Sequence, residues 1–243
     1  MDTNGKVALV TGAGRRVGRS LALALGDAGC RVAVHYSKSE KDAHETAALI
    51  QSMDSEAITV HADLEDPAQV ELLAVAVEEQ LGSIDILVNN ASIFDKIELK
   101  DVSVEDWDRH FAINARAPFL LAKAMQSQRS SDSPGKIINL NDWRTARPTR
   151  FAYGITKTAL SGITRTLALC MAPNVQVNEV SLGAILPPAD IRLDRPRSEI
   201  QIDLGPANRM GTLNEVADAM MMLIQNDFIN GETINVDGGR HIK

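Results

Sequence analysis

Short β-branched runs alternate along this chain with longer stretches of helical period, and that alternation restricts the fold more than any other feature. The runs fall at residues 7–11, 31–36, 57–61, 84–89, 136–140, 175–180 and 233–237. Strands joined through helices pair in parallel, and the helices then cover both faces of the sheet. Seven such strands predict a single-domain α/β protein, one doubly wound sheet of about seven parallel strands spanning residues 1–243.

Local signals place the helix boundaries. Pro67 follows Asp66 and opens a helix at its first turn, while T-L-N-E (212–215) has capping-box spacing before an apolar run. S-S-D-S-P-G (130–135) is a turn-rich break before a strand. The Pro- and charge-rich stretch 186–206 reads as a long loop over a site.

Composition narrows the partners. A net charge of -7 speaks against a nucleic-acid or anionic-membrane surface, yet leaves room for a local cationic pocket. No apolar run approaches the roughly 20 residues needed to span a bilayer. Cys30 and Cys170 are the only cysteines and form no C-x-x-C pair, which leads us to expect a reduced, cytoplasmic protein without a thiolate metal site.

The first chemical motif is T-G-A-G-R-R-V-G, residues 11–18, placed between a strand and a helix. Gly12, Gly14 and Gly18 permit a tight turn and close backbone approach, so that amides at the helix start meet a pyrophosphate, with Arg15, Arg16 and Val17 alongside. An enzyme binding NAD would carry an acid at the end of the second strand to hold the ribose diol. Here the strand ends in Tyr36, and Ser37, Lys38 and Ser39 supply two hydroxyls and a cation, which suit a 2′-phosphate and therefore NADP(H).

The second motif is Y-G-I-T-K, with Tyr153 and Lys157 four residues apart on one helix face. A nearby ammonium favours phenolate, which an ordinary phenol with pKa near 10 would not reach at neutral pH. Eleven residues before the Tyr stands Asp142. A carbonyl reductase would want a hydroxyl there to donate to the developing oxyanion. Reduction of a ring C=N leaves a nitrogen that must be protonated, and a carboxyl serves that need.

With N-N-A-S (89–92) and Asn114, these motifs make the chain resemble the short-chain dehydrogenases/reductases over nearly its whole length. The resemblance implies a Rossmann-type sheet, a cofactor half of about residues 1–90, a catalytic half of about 91–243 and a substrate loop of about 183–211. It implies that Tyr153 donates or accepts the proton, that Lys157 lowers the Tyr pKa and holds the nicotinamide ribose, and that Asn114 supports a proton relay. Asp63 and Leu64 would meet the adenine region. Asn89, Asn90, Ala91 and Gly183 would line the cofactor groove.

Three departures from the family pattern occur together: Arg16 at the middle glycine of the loop, Ser92 in place of the last Gly of N-N-A-G, and Asp142 in place of Ser. This trio, with the C-terminal V-D-G-G-R-H-I-K, is similar to the pteridine and dihydromonapterin reductases. That likeness implies that Arg16 contacts cofactor phosphate and pterin, that Ser92 hydrogen-bonds the pterin or a phosphate, that Phe94 stacks on the pterin ring, and that Asp142 and Tyr153 manage protons. It also implies a homotetramer or dimer built through the helix at 153–171, whose sequence is apolar on more than one face. A 3-oxoacyl-thioester reductase and a catalytically idle NADP(H)-binding sensor or scaffold stay open as alternatives. Arg192, Arg195 and Arg197 in the long loop read as solvated charges.

Overall fold

A computed structural model describes residues 1–130, 133–186 and 204–242. Its seven strands are β1 (Val7–Val10), β2 (Arg31–Tyr36), β3 (Ala57–His61), β4 (Ile86–Asn89), β5 (Gly135–Asp142), β6 (Val175–Leu182) and β7 (Thr233–Val236). They form one sheet in the order β3-β2-β1-β4-β5-β6-β7, and every described pairing is parallel. The helices are α1 (Arg16–Asp27), α2 (Glu40–Gln51), α3 (Pro67–Leu81), α4 (Val104–Phe111), α5 (Ala117–Gln128), α6 (Phe151–Cys170) and α7 (Leu213–Gln225).

Period-two alternation divides the core between the two faces. Ala8, Val10, Val32, Val34, Ile86 and Val88 join one apolar cluster with α1, α2 and α7. Val7, Leu9, Ala33 and Leu87 point the other way, against α3, α5 and α6. The caps form as the sequence predicts: Asp66 accepts from the Ala68 amide at 2.9 Å, and Thr212 and Glu215 make a reciprocal capping box. Among the described residues no helix is long and apolar enough to cross a membrane.

The sheet order sets the site. The chain runs from β1 outward through β2 to β3, then crosses back to β4 on the other side of β1. Helices therefore diverge at the C-terminal ends of β1 and β4, which is where a doubly wound sheet opens a ligand crevice. Most of the long loop and its three arginines lie outside the described residues.

Candidate active site

A cavity of about 760 Å³ occupies that crevice. Its walls include Gly12, Arg15, Arg16, Val17 and Gly18 from the loop after β1, and Ser37, Lys38 and Ser39 from the end of β2. Asp63 and Leu64 come from the end of β3, and Asn90, Ala91, Ser92 and Phe94 from the segment after β4. All of these were expected from sequence.

The glycine loop is shaped by close approach. A Cβ on Gly18 would lie 2.2 Å from the Gly12 carbonyl oxygen, so no side chain fits there. Gly12 itself has φ of 63°. The loop is stitched to the next segment: Asn90 Nδ2 donates to the carbonyls of Thr11 (2.8 Å) and Gly12 (3.2 Å), and the amides of Asn90 and Ala91 donate to Thr11 Oγ1. Arg16 holds φ of 56°, the left-handed region, at a position where the family pattern has glycine. A side chain there costs about 1–2 kcal/mol, a strain typical of functional loops. Burial, then the neighbouring Arg15, lowers the pKa of its guanidinium.

Four further residues expected at the cofactor groove stand beside these walls and not in them. Asn89 turns into the sheet and donates to Asn139 Oδ1 at 2.8 Å, because strand alternation aims it away from Asn90. Gly14 packs beneath α2, where a Cβ would meet Ser39 Oγ at 2.8 Å. Tyr36 turns outward against His61, with ring centroids 5.4 Å apart. Gly183 gives room to Asp237, whose Cα lies 2.5 Å from the place of a Cβ.

His35 is a wall residue that sequence reasoning missed. Its Nδ1 accepts the Gly12 amide at 3.0 Å, which leaves the proton on Nε2 to donate to the Ala62 carbonyl at 3.1 Å. Burial pushes its pKa down to about 4 and keeps the ring neutral, as that pairing requires.

The catalytic candidates meet beside the cavity. Tyr153 Oη donates to Asp142 Oδ2 at 2.9 Å, and the Phe94 ring stands edge-on to the Tyr153 ring with centroids 4.5 Å apart. Asp142, not Asn141, faces the Tyr. Arg147 Nη2 donates to both of its carboxylate oxygens (2.7 and 2.8 Å), and the Arg144 amide donates to Oδ1 at 2.8 Å. Arg147 is the second missed residue, five positions from Asp142 on a loop without periodic signal. Arg150 stacks its guanidinium 3.6 Å from the Phe94 ring centroid, so one face of the ring expected to hold a pterin already carries a cation.

Lys157 is buried beside the Tyr153 ring. Its Nζ donates to the Leu140 carbonyl at 2.8 Å and lies 5.8 Å from the centre of the Tyr153 ring. Burial first, and then the Asp142 carboxylate, raise the Tyr153 pKa well above 10. The phenol is thus held protonated, a donor rather than a phenolate. Burial lowers Lys157 itself to about 8, opposed by Asp142 and Glu179. Asn114 sits in a π-helical turn, Ala112–Arg116, of a kind that recurs at functional sites. Its Oδ1 accepts from the Ile93 amide (3.0 Å) and Ser92 Oγ (3.1 Å), and its Nδ2 donates to Thr156 Oγ1 (3.1 Å), clamping the loop to α6.

The family model described as enoyl-(acyl carrier protein) reductase matches residues 12–241. The chain belongs to the short-chain dehydrogenase/reductase family. Versicolorin reductase stcU of Emericella nidulans is 35% identical over 97% of this chain and 96% of its own length. A 3-oxoacyl-[acyl-carrier-protein] reductase of Synechocystis sp. is 33% identical over 96% of each. Among solved structures, FolM alternative dihydrofolate reductase 1 from Brucella canis, complexed with NADP, superposes with a TM-score of 0.91 at 33% identity, covering 100% of this chain and 96% of that one. As a member of this family, the chain is an oxidoreductase with the family's Rossmann-type sheet, and its likeness to the FolM structure accords with the pteridine-reductase resemblance of its motifs.

Proposed function

We propose that this reductase uses NADPH to reduce a ring C=N bond of a pterin, converting a dihydropterin to a tetrahydropterin. The observation that carries the reading is the Asp142 carboxylate at 2.9 Å from Tyr153 Oη, where the family places a hydroxyl. A carboxylate only accepts hydrogen bonds. Against a ketone oxygen, also an acceptor, it opposes the charge that develops on reduction. A pterin ring presents N–H and amino donors that match it, and the likeness to FolM supports the same choice.

The cavity fits the cofactor. The glycine turn excludes side chains at Gly18, Arg15 and Arg16 supply positive charge, and Ser37, Lys38 and Ser39 stand where a 2′-phosphate would be met. Asp63 and Leu64 would border the adenine, and Lys157 the nicotinamide ribose. Bound there, NADPH would supply the hydride for the ring carbon. Tyr153 then delivers its proton to the adjacent nitrogen, and Arg147 offsets the negative charge that accumulates on the Tyr153–Asp142 pair. Asn114 keeps Ser92 beside the substrate, while Arg16 and Phe94 bound its plane.

We place the enzyme in the cytoplasm, consistent with its free cysteines Cys30 and Cys170, and assemble it as a homotetramer or dimer. Support for assembly comes from the groove of about 600 Å³ beside Phe119, Ala159 and Ile163 on α5 and α6, with Phe119 itself 44% exposed.

NADPH oxidation by the purified protein, measured with 7,8-dihydrobiopterin and with a 3-oxoacyl thioester, tests the reading. We expect kcat/KM for the dihydropterin to exceed that for the thioester by at least about 100-fold, the scale of one mismatched buried polar contact. Preference for the thioester would replace the pterin reading with carbonyl reduction, the activity named for the Synechocystis relative. No turnover with either would favour a cofactor-binding role without catalysis.

A further inference from the structure

Strand β6 carries an acidic side chain deep in the sheet. Glu179 is 2% exposed, between the buried Asn178 and Val180. A buried carboxylate is costly unless it is paired and hydrogen-bonded. Among the described residues, none of the ion pairs within 4 Å includes it. Hydroxyls surround it instead: Ser161 Oγ donates at 3.0 Å to each carboxylate oxygen, with Thr233 Oγ1 at 3.3 Å and Thr164 Oγ1 at 3.5 Å.

These contacts lead to the catalytic wall. Ser161 Oγ accepts from Asn141 Nδ2 at 2.9 Å, and the same amide nitrogen donates to the Lys157 carbonyl at 3.0 Å. Asn141 Oδ1 accepts the Asp142 amide at 2.9 Å. One chain of hydrogen bonds therefore joins Glu179 to the backbone of both Lys157 and Asp142. Lys157 is 4% exposed, so its ammonium also needs compensation. Its ammonium sits on the Leu140 carbonyl at the end of β5, near Asp142 and the Tyr153 ring, and Glu179 stands on β6 opposite Asn139, the residue before Leu140, bonded to Ser161 one turn after Lys157. Asp142 is already engaged by Arg147 and Tyr153. Among the described residues Glu179 has no such cation within 4 Å, and its negative charge favours the charged form of Lys157.

We propose that Glu179 is a positioning residue: a buried negative charge beneath Lys157 that anchors, through Ser161 and Asn141, both the Lys157 turn of α6 and the strand end bearing Asp142. The assignment is independent of which substrate the site takes, because it concerns the wall beneath the substrate.

Thermal unfolding of the purified protein without ligand, between about pH 6.5 and pH 9.5, tests it on wild type, Glu179→Gln and Glu179→Asp. The Gln variant keeps the shape and loses the charge. We expect its Tm to lie roughly 3 °C or more below wild type at neutral pH, and that deficit to shrink by at least half at the alkaline end, where Lys157 has lost its proton in both proteins. The Asp variant retains the charge, so whatever deficit it shows should, unlike that of the Gln variant, stay nearly constant across this pH range. NADPH affinity, read by fluorescence, should begin to weaken at a lower pH in the Gln variant than in wild type. A deficit of equal size at every pH, with an unmoved NADPH profile, would overturn the proposal and leave Glu179 a packing residue. Should Glu179→Gln alone fail to fold, the double variant Glu179→Gln/Lys157→Met decides. Recovery of a folded protein on neutralising both members supports the pairing, and failure of the double variant as well contradicts it.

Discussion

At one end of the cleft Arg16 holds a backbone conformation suited to glycine, with φ of 56°; at the other, Asp142 ends an ordinary extended strand and differs from the family pattern only in its charge and partners. The glycine loop departs through its backbone, so its cost is conformational and local. The catalytic end departs through electrostatics, so its effect depends on which groups surround the carboxylate. Arg147, Tyr153 and the Arg144 amide converge on Asp142, and no single one of them would mark the site alone. A strained residue advertises its function by position. A charge advertises it only through its company.

Removing that company gives the largest effect. Arg147→Met leaves the partly buried Asp142 without its cation, and we expect kcat with the dihydropterin to fall roughly 10- to 100-fold while NADPH affinity stays within about twofold. Steady-state kinetics beside a direct binding titration separates the two. An unchanged kcat would show that the Arg147–Asp142 pair does not tune the carboxylate's chemistry.

The cofactor end responds through binding instead. Lys38→Ala should weaken NADPH by about tenfold, the worth of one exposed charge-assisted contact, and leave NADH nearly unaffected. Equal losses for both would remove the 2′-phosphate from Lys38's role. The smallest effect belongs to the strain itself. Arg16→Gly should raise stability by about 1 kcal/mol, roughly 2–4 °C in Tm, while weakening NADPH. A destabilised variant would mean that contacts of the Arg16 side chain outweigh its backbone cost.

The strands and caps were legible in the sequence because their signals are local. Alternation marks β1 to β7, and T-L-N-E builds its own cap at Thr212. Tyr153 and Lys157 were legible because helical spacing brings them to one face. Their electrostatics were not: whether Tyr153 is a donor or a phenolate depends on burial and on a carboxylate from another strand, and spacing within α6 reveals neither. Asn89 and Asn90 illustrate the same limit. Adjacent residues at a strand end point to opposite faces, and only the sheet's order tells which face holds the cleft. His35 and Glu179 were invisible for a related reason, since each acquires its role from a partner 18 or more residues away.

The most direct measurement of the central claim, that Asp142 selects a C=N substrate over a carbonyl, is the ratio of kcat/KM for 7,8-dihydrobiopterin to that for a 3-oxoacyl thioester in Asp142→Ser against wild type. We predict that the ratio falls by about 100-fold or more, through loss of the dihydropterin reaction with NADPH binding intact. A ratio that survives the substitution would contradict the account and leave the carboxylate a structural partner of Arg147.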